Sequence, residues 1–384
     1  MKTKLMFAAL AAAAVFTACT KENPTMEPSK TLKSVEISLD NLIYTKGDAG
    51  NKIKGGDPVQ VNDVQVFLVK SDGTFFTGAK KTDGATAADY KFTGAAISSS
   101  YVFHYVDTNV NKVVVVANMG STFAPTNYAD LQTKTLAIDN QQDATKLALY
   151  GEGTLTKKDT NHTGDEDGNG NVQENQVYTS NVTIAPRVAR IEVDGFRVIY
   201  TDAEPNYDEI TFTQLAMVNY MPTTALWNGT ESGDLVNPLA ANYEGTTVKN
   251  ETAIYNWLGT KPEGTAPWTY DACELTCTPA EPAADFTAPR AYHIFAGNVV
   301  PTFFIHLTAD GVPAFLYTKK ISNAEGVEIT SFEAGTIYRM SGETTALDNG
   351  AIEIPEDKIN PMDRCLEITV EVEPWQVVLV TPEF

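Results

Sequence analysis

Apolar and polar residues alternate with a period of two over much of this chain. Val35, Ile37 and Leu39 alternate with Glu36, Ser38 and Asp40. Val64, Val66 and Leu68 alternate with Asp63, Gln65 and Phe67, and the turn signal Ser71-Asp72-Gly73 follows. Successive side chains leave a strand on opposite sides, so this pattern predicts strands with one face buried. The branched run 113–116 is unbroken instead, as a strand buried on both faces requires. Further strand-like segments lie at 182–193 around Pro186, and at 210–217, 292–307, 314–321 and 366–380. Spacing of three and four is sustained nowhere, and 128–137, within a connection, is the best short helical candidate. Many short strands with Gly, Asn, Asp and Pro turns predict an all-β protein of sandwich-like antiparallel domains.

Length and charge narrow the reading. The 384 residues suit two domains, and the polar stretch 157–179 divides them into 47–180 and 181–384. With 28 basic against 49 acidic residues the net charge is −21, which argues against a nucleic-acid partner, since that interface needs clustered Lys and Arg. Four Cys and four His are too few for a disulfide-dense scaffold or a multi-zinc protein.

The first twenty residues carry an export signal. Lys2 and Lys4 precede the apolar stretch 5–16, which is shorter than the roughly 20 residues that span a bilayer. Small residues then lead into Cys19, as in a bacterial lipobox, so 1–18 is expected to be removed and Cys19 lipidated at the outer membrane. The polar segment 21–33, with Pro24 and Pro28, reads as a tether.

Candidate chemistry is sparse. Asp165, Asp167 and Asn169 have the spacing of a calcium loop, but the twelfth position is Gln176 rather than Glu, and an acidic linker is the simpler reading. Gly168 and Gly170 make no dinucleotide fingerprint, and no cofactor is expected. Cys273 and Cys277 would lie roughly 13 Å apart along a straight strand, too far for a disulfide without a turn; with Cys365 they leave one disulfide or buried thiols open. No catalytic motif is present, and nominating a carboxylate pair among 49 carboxylates says little. Trp227, Trp257, Trp268 and Trp375 would suit a sugar-stacking platform, the basis of an alternative reading as a surface lipoprotein that binds glycans for nutrient capture.

The two ends of the chain look complementary. The apolar strand starting at Val35 and continuing to Tyr44 is followed by Thr45-Lys46-Gly47-Asp48-Ala49-Gly50, a Gly-rich loop with a basic residue. Near the other end, Pro374 separates an alternating strand from a β-forming run at 375–384, and a residue without an N–H lets that run change direction and partner. Either this run closes its own domain, or it completes the sheet of a neighbour.

These features together resemble a fimbrillin, the subunit of type V pili. The resemblance rests on the lipobox at Cys19, on Val113-Val-Val-Val-Ala-Asn-Met-Gly120, on Ala185-Pro-Arg-Val-Ala-Arg-Ile-Glu-Val193 and on Leu215-Ala-Met-Val-Asn-Tyr220. Ala334-Gly-Thr-Ile-Tyr338 and the segment from Cys365 to Trp375 complete it. It implies two transthyretin-like β-sandwich domains and a pilus shaft subunit without catalytic activity that supports adhesion and colonisation. The precursor would be a lipoprotein of the outer membrane, cut by an Arg/Lys-specific protease at Lys46-Gly47, with Lys52 and Lys54 as alternatives. The propeptide 19–46 would leave with its strand, whose groove-filling residues are Val35, Ile37, Leu39 and Leu42. A donor strand from another subunit, offering Trp375, Val377, Val378, Leu379 and Val380, would then fill the groove of an extracellular fimbrium. Its partners would be copies of itself, other pilins and a host or bacterial surface receptor.

Overall fold

The computed structural model describes residues 32–40, 42–44, 59–81, 90–158, 177–200, 205–235, 243–244, 247–248, 271–341, 346–349, 365–374 and 377–379. Strands dominate. In chain order they begin with β1 (Leu32–Asp40), β2 (Leu42–Tyr44), β3 (Val59–Val61), β4 (Asp63–Lys70), β5 (Phe75–Phe76), β6 (Lys80–Lys81), β7 (Lys91–Thr93), β8 (Ser100–Asp107) and β9 (Val110–Ala117). After α1 (Tyr128–Gln132) come β10 (Thr135–Ala137), β11 (Leu149–Thr154), β12 (Thr156–Lys157), β13 (Val177–Thr183), β14 (Ala185–Pro186) and β15 (Val188–Ile199). Next are β16 (Ile210–Val218), β17 (Thr223–Ala225), β18 (Glu231–Ser232), β19 (Tyr243–Glu244), β20 (Thr247–Val248) and β21 (Asp271–Cys277). The rest are β22 (Ala283–Phe295), β23 (Thr302–Ala309), β24 (Val312–Asn323), β25 (Thr336–Met340), β26 (Ala346–Asp348), β27 (Cys365–Pro374) and β28 (Val377–Leu379).

The first sandwich has two sheets. One runs β12-β13-β1-β8-β6, and the other β14-β11-β9-β4-β5 with β7 also on β4. The period-two strands form as expected, and Val64, Val66 and Leu68 of β4 are buried. Val113, Val114, Val115 and Val116 are buried to the last side chain, as an unbroken branched run predicts. Two glycines set the spacing of the sheets. A Cβ on Gly151 would fall on the Thr183 carbonyl of β13, and one on Gly153 would fall on the Ser180 hydroxyl. Only glycine lets β11 approach β13 this closely.

Among the described residues α-helix occurs only at 128–132, inside the candidate segment, and short 3-10 turns lie outside it at 94–96 and 138–141. Asn127 caps the α-helix, its side chain accepting from the Asp130 amide at 2.8 Å. The end of the candidate segment, 135–137, becomes β10, because it meets β17 in register. Residues 292–307 likewise split into β22 and β23, since Pro301 and the loop before it interrupt the ladder.

The second sandwich is one long sheet path folded over itself, β21-β16-β23-β24-β27-β25-β15-β22, with β26 on β15. Strand β27 joins its two leaves: its first part pairs with β24 and its last four residues with β25. Phe196 of β15 stacks on Phe212 of β16 at 4.3 Å between the leaves.

A seam joins the two sandwiches. Strand β10 pairs with β17 and β17 with β18. Beside it lies a buried charge cluster: Glu192, wholly buried, is held by Arg190 Nε at 2.6 Å and Arg339 Nη2 at 3.2 Å. Arg190 Nη1 lies 3.0 Å from His293 Nε2. A guanidinium can only donate, so Nε2 accepts and the proton sits on Nδ1, which donates to the Gln141 carbonyl at 2.7 Å. Burial, and secondarily Arg190, holds the His293 pKa down at about 3, so the imidazole stays neutral.

Candidate functional site

The segment around Val35 carries the feature that distinguishes the first sandwich. The apolar run to Tyr44 is not one strand: it divides into β1, which ends at Asp40, and β2, which starts at Leu42, and the two belong to different sheets. Strand β1 is central in its sheet. Ser34–Asp40 runs parallel to Val177–Thr183 of β13, while Leu32–Ser38 runs antiparallel to β8. Val35, Ile37 and Leu39 are buried, with Val35 opposite Phe103 and Ile37 opposite Tyr101. An aromatic group lines the β8 side: Phe92 lies 4.2 Å from Tyr101, and Tyr90 lies 5.3 Å from Phe103. Burying the three aliphatic side chains is worth about 6 kcal/mol at about 2 kcal/mol each, comparable with the stability of a whole domain.

Polar contacts fix the register of β1. Glu36 pairs with Lys158 at 3.0 Å, the Ser38 hydroxyl bonds the Asn181 side chain, and the Leu39 amide donates to the Ser99 carbonyl at 2.7 Å. Lys33 is the unexpected member. Only 2% exposed, its ammonium donates to the Val110 carbonyl and sits 4.0 Å from the centre of the Tyr178 ring. Burial pulls its pKa down to about 8, against the opposing pull of Asp107. By sequence Lys33 falls at the end of the polar tether 21–33.

The second element is the strand after Pro374. Residues 377–379 form β28, which lies between β2 and β3 in an all-parallel sheet. Leu42, Ile43 and Tyr44 stand opposite Val377, Val378 and Leu379. These stand in turn opposite Val59, Gln60 and Val61. Strand β3 is fixed on its far side: Asn118 Nδ2 donates to the Gln60 carbonyl at 2.6 Å, and Val59 and Val61 are buried. The structure thus brings together two segments nominated separately, Leu42 and the run 377–379. Nothing in the alternation of either segment identifies the other as partner.

Several nominated residues lie outside the described residues: Cys19, Lys46, Gly47, Lys52, Lys54, Asp165, Asp167, Asn169, Trp257, Trp268, Trp375 and Val380. Among the described residues no cluster of three His, Cys, Asp or Glu side chains could hold a metal. Cys273 and Cys277 both lie on β21 and are buried, and burial raises the Cys277 thiol to about 11. Trp227 is half-buried against the core, its carbonyl accepting from Arg187.

Two-sheet sandwiches, the first built around its earliest strand, define an all-β sandwich protein. A solved structure shares this fold, and others align over most of the chain. One, described as a candidate cell adhesion protein from Parabacteroides distasonis ATCC 8503, superposes with a TM-score of 0.50 at 12% identity, covering 91% of this chain and 98% of that one. A fimbrilin from Porphyromonas gingivalis W83 aligns over 91% of this chain and 99% of its own, with a TM-score of 0.47 and 12% identity. The tip fimbrial protein Mfa3 of Porphyromonas gingivalis aligns over 90% and 99%, with a TM-score of 0.39 and 11% identity. No family model and no curated protein sequence matches the chain. At 12% identity the first of these shares the fold alone.

Proposed function

We propose that this chain is a fimbrial subunit of the fimbrillin type, a structural rather than catalytic protein that polymerises by strand exchange. In this reading it is exported as a lipoprotein anchored through Cys19 and cut at Lys46-Gly47. It then assembles through its two sandwich units into an extracellular shaft that supports adhesion. The observation that carries the reading is the position of β1. A strand that precedes the basic loop and would leave with the propeptide fills the centre of a sheet, with Val35, Ile37 and Leu39 in the core. Its removal would open a groove edged by β13 and β8, and a β-forming run of matching apolar character lies at 375–384. Exchange of one apolar strand for another would be close to neutral in energy, and proteolysis would give it direction.

N-terminal sequencing of protein sheared from cell-surface filaments tests the reading. A start at Gly47 is expected, and loss of 375–384 is expected to abolish high-mass polymers. Assembled filaments whose subunits still begin at a lipidated Cys19 would overturn it.

A further inference from the structure

Strand β28 has both of its edges occupied within its own chain. On one side stands β3, itself anchored to the first sandwich through Asn118 and buried through Val59 and Val61. On the other stands β2, which follows β1 after a single residue and precedes the proposed cut. A strand can pair with two neighbours and no more. While β2 is in place, residues 377–379 therefore have no free edge to offer a second molecule.

We propose that the segment lost on processing has two tasks: β1 closes the acceptor groove, and β2 clamps the chain's own 377–379 strand against β3, so that removing the segment opens the acceptor and frees the donor in one step. This rests on the strand-exchange reading above and assigns it a means of regulation. The clamp answers a problem that the reading creates, since an apolar donor strand with an open edge would pair before export was complete. Once β2 leaves, 377–379 keeps only the three-residue ladder to β3. The groove vacated by β1 offers a ladder over Ser34–Asp40 on one side and a second on the other, so the freed strand gains pairing by moving to a neighbour. Pro374, which has no N–H, ends β27 just before the moving strand.

Two experiments on the uncut chain test the clamp without relying on any protease. Ile43→Cys combined with Val378→Cys places two thiols at opposed positions of one ladder, within disulfide reach. Mild oxidation is expected to close an internal bond between them, found by peptide mapping. Separately, Leu42→Pro and Ile43→Pro are compared by amide exchange. Successive residues of a strand turn their N–H groups to opposite sides, so one of the two removes a ladder donor. That variant is expected to speed exchange over 377–379 about tenfold or more while 34–39 stays slow. Absence of the internal disulfide, or unchanged exchange over 377–379 in both proline variants, overturns the proposal. If the chain is never cut at the Lys46 loop, or never polymerises, both results on the uncut chain are untouched, and it is the processing reading that falls.

Discussion

Strands β1 and β28 are both interior to their sheets, yet they are held very differently. Strand β1 pairs over Ser34–Asp40 on one side and Leu32–Ser38 on the other, and it places three aliphatic side chains in the core. Strand β28 pairs over three residues on each side. Ladder hydrogen bonds contribute about 1 kcal/mol net each, whereas a buried aliphatic side chain contributes about 2 kcal/mol. The difference teaches where exchange has to be driven. A strand held like β1 does not leave by thermal opening and needs its connection cut, whereas one held like β28 moves once a single neighbour is withdrawn.

The largest expected effect breaks β1. Ile37 is 1% exposed, so Ile37→Asp strands a carboxylate in the core at a cost of about 4 kcal/mol or more, and Ile37→Ala costs about 3 kcal/mol. Deleting 377–384 is expected to lower stability by only about 1 kcal/mol, because the few ladder bonds lost are largely offset by the conformational entropy that residues 377–379 no longer give up. Urea unfolding of the uncut chain measures all three. A deletion as damaging as Ile37→Ala would erase the contrast between the two strands. The next effect acts on β13, the rail beside β1. Gly151→Ala drives a Cβ into the Thr183 carbonyl and is expected to cost about 2–3 kcal/mol, with amide exchange over 34–39 quickened more than exchange over 377–379.

Much of this fold can be read from side-chain alternation, and the way the site assembles cannot. Period two marks β1, β4 and β27, and the branched run marks β9, because these patterns report burial of a face. Pairing is a different matter. That β1 lies parallel to β13, and that Leu42 meets Val377, follows from long-range packing that local pattern does not encode. Alternation does stop after Leu39, and Leu42-Ile43-Tyr44 is an unbroken apolar run, but nothing in that change says that β2 joins a different sheet from β1. Polar residues mislead most. Lys33, Arg190, Glu192 and Arg339 look like solvent-facing positions but are buried, because each finds a compensating partner. The one available signal was Arg190-Ile-Glu192, an opposite-charge pair two residues apart and so on one face of a strand.

The seam between the sandwiches sharpens the comparison from outside, since it holds a buried histidine that should make stability depend on acid. His293 is held neutral with a pKa of about 3, against 6.5 for an ordinary histidine. Between those values the unfolded chain binds a proton that the folded chain does not, so stability falls as pH drops through 6.5 towards 3. Acidification from pH 7 to 4 is expected to cost about 3 kcal/mol through this residue. His293→Gln should flatten that part of the profile, measured as urea midpoints from pH 4 to 7. An unchanged acid slope in the variant would assign it to other groups.

The smallest effect concerns Lys33, a weak point in the otherwise strong hold on β1. Its pKa is lowered from 10.5 to about 8, chiefly by burial. Between those values the folded state has shed a proton that the unfolded state keeps, so stability rises as pH rises through that window, and below about 8 the fold carries a desolvated ammonium. The Val110 carbonyl and the Tyr178 ring replace part of the lost hydration, which holds the effect to about 1 kcal/mol. Lys33→Met is expected to raise stability at pH 7.5 by about that amount, to remove the gain between pH 8 and 10, and to slow exchange over 34–39. The same substitution should leave exchange over 377–379 unchanged, because Lys33 touches β9 and β13 and neither neighbour of β28.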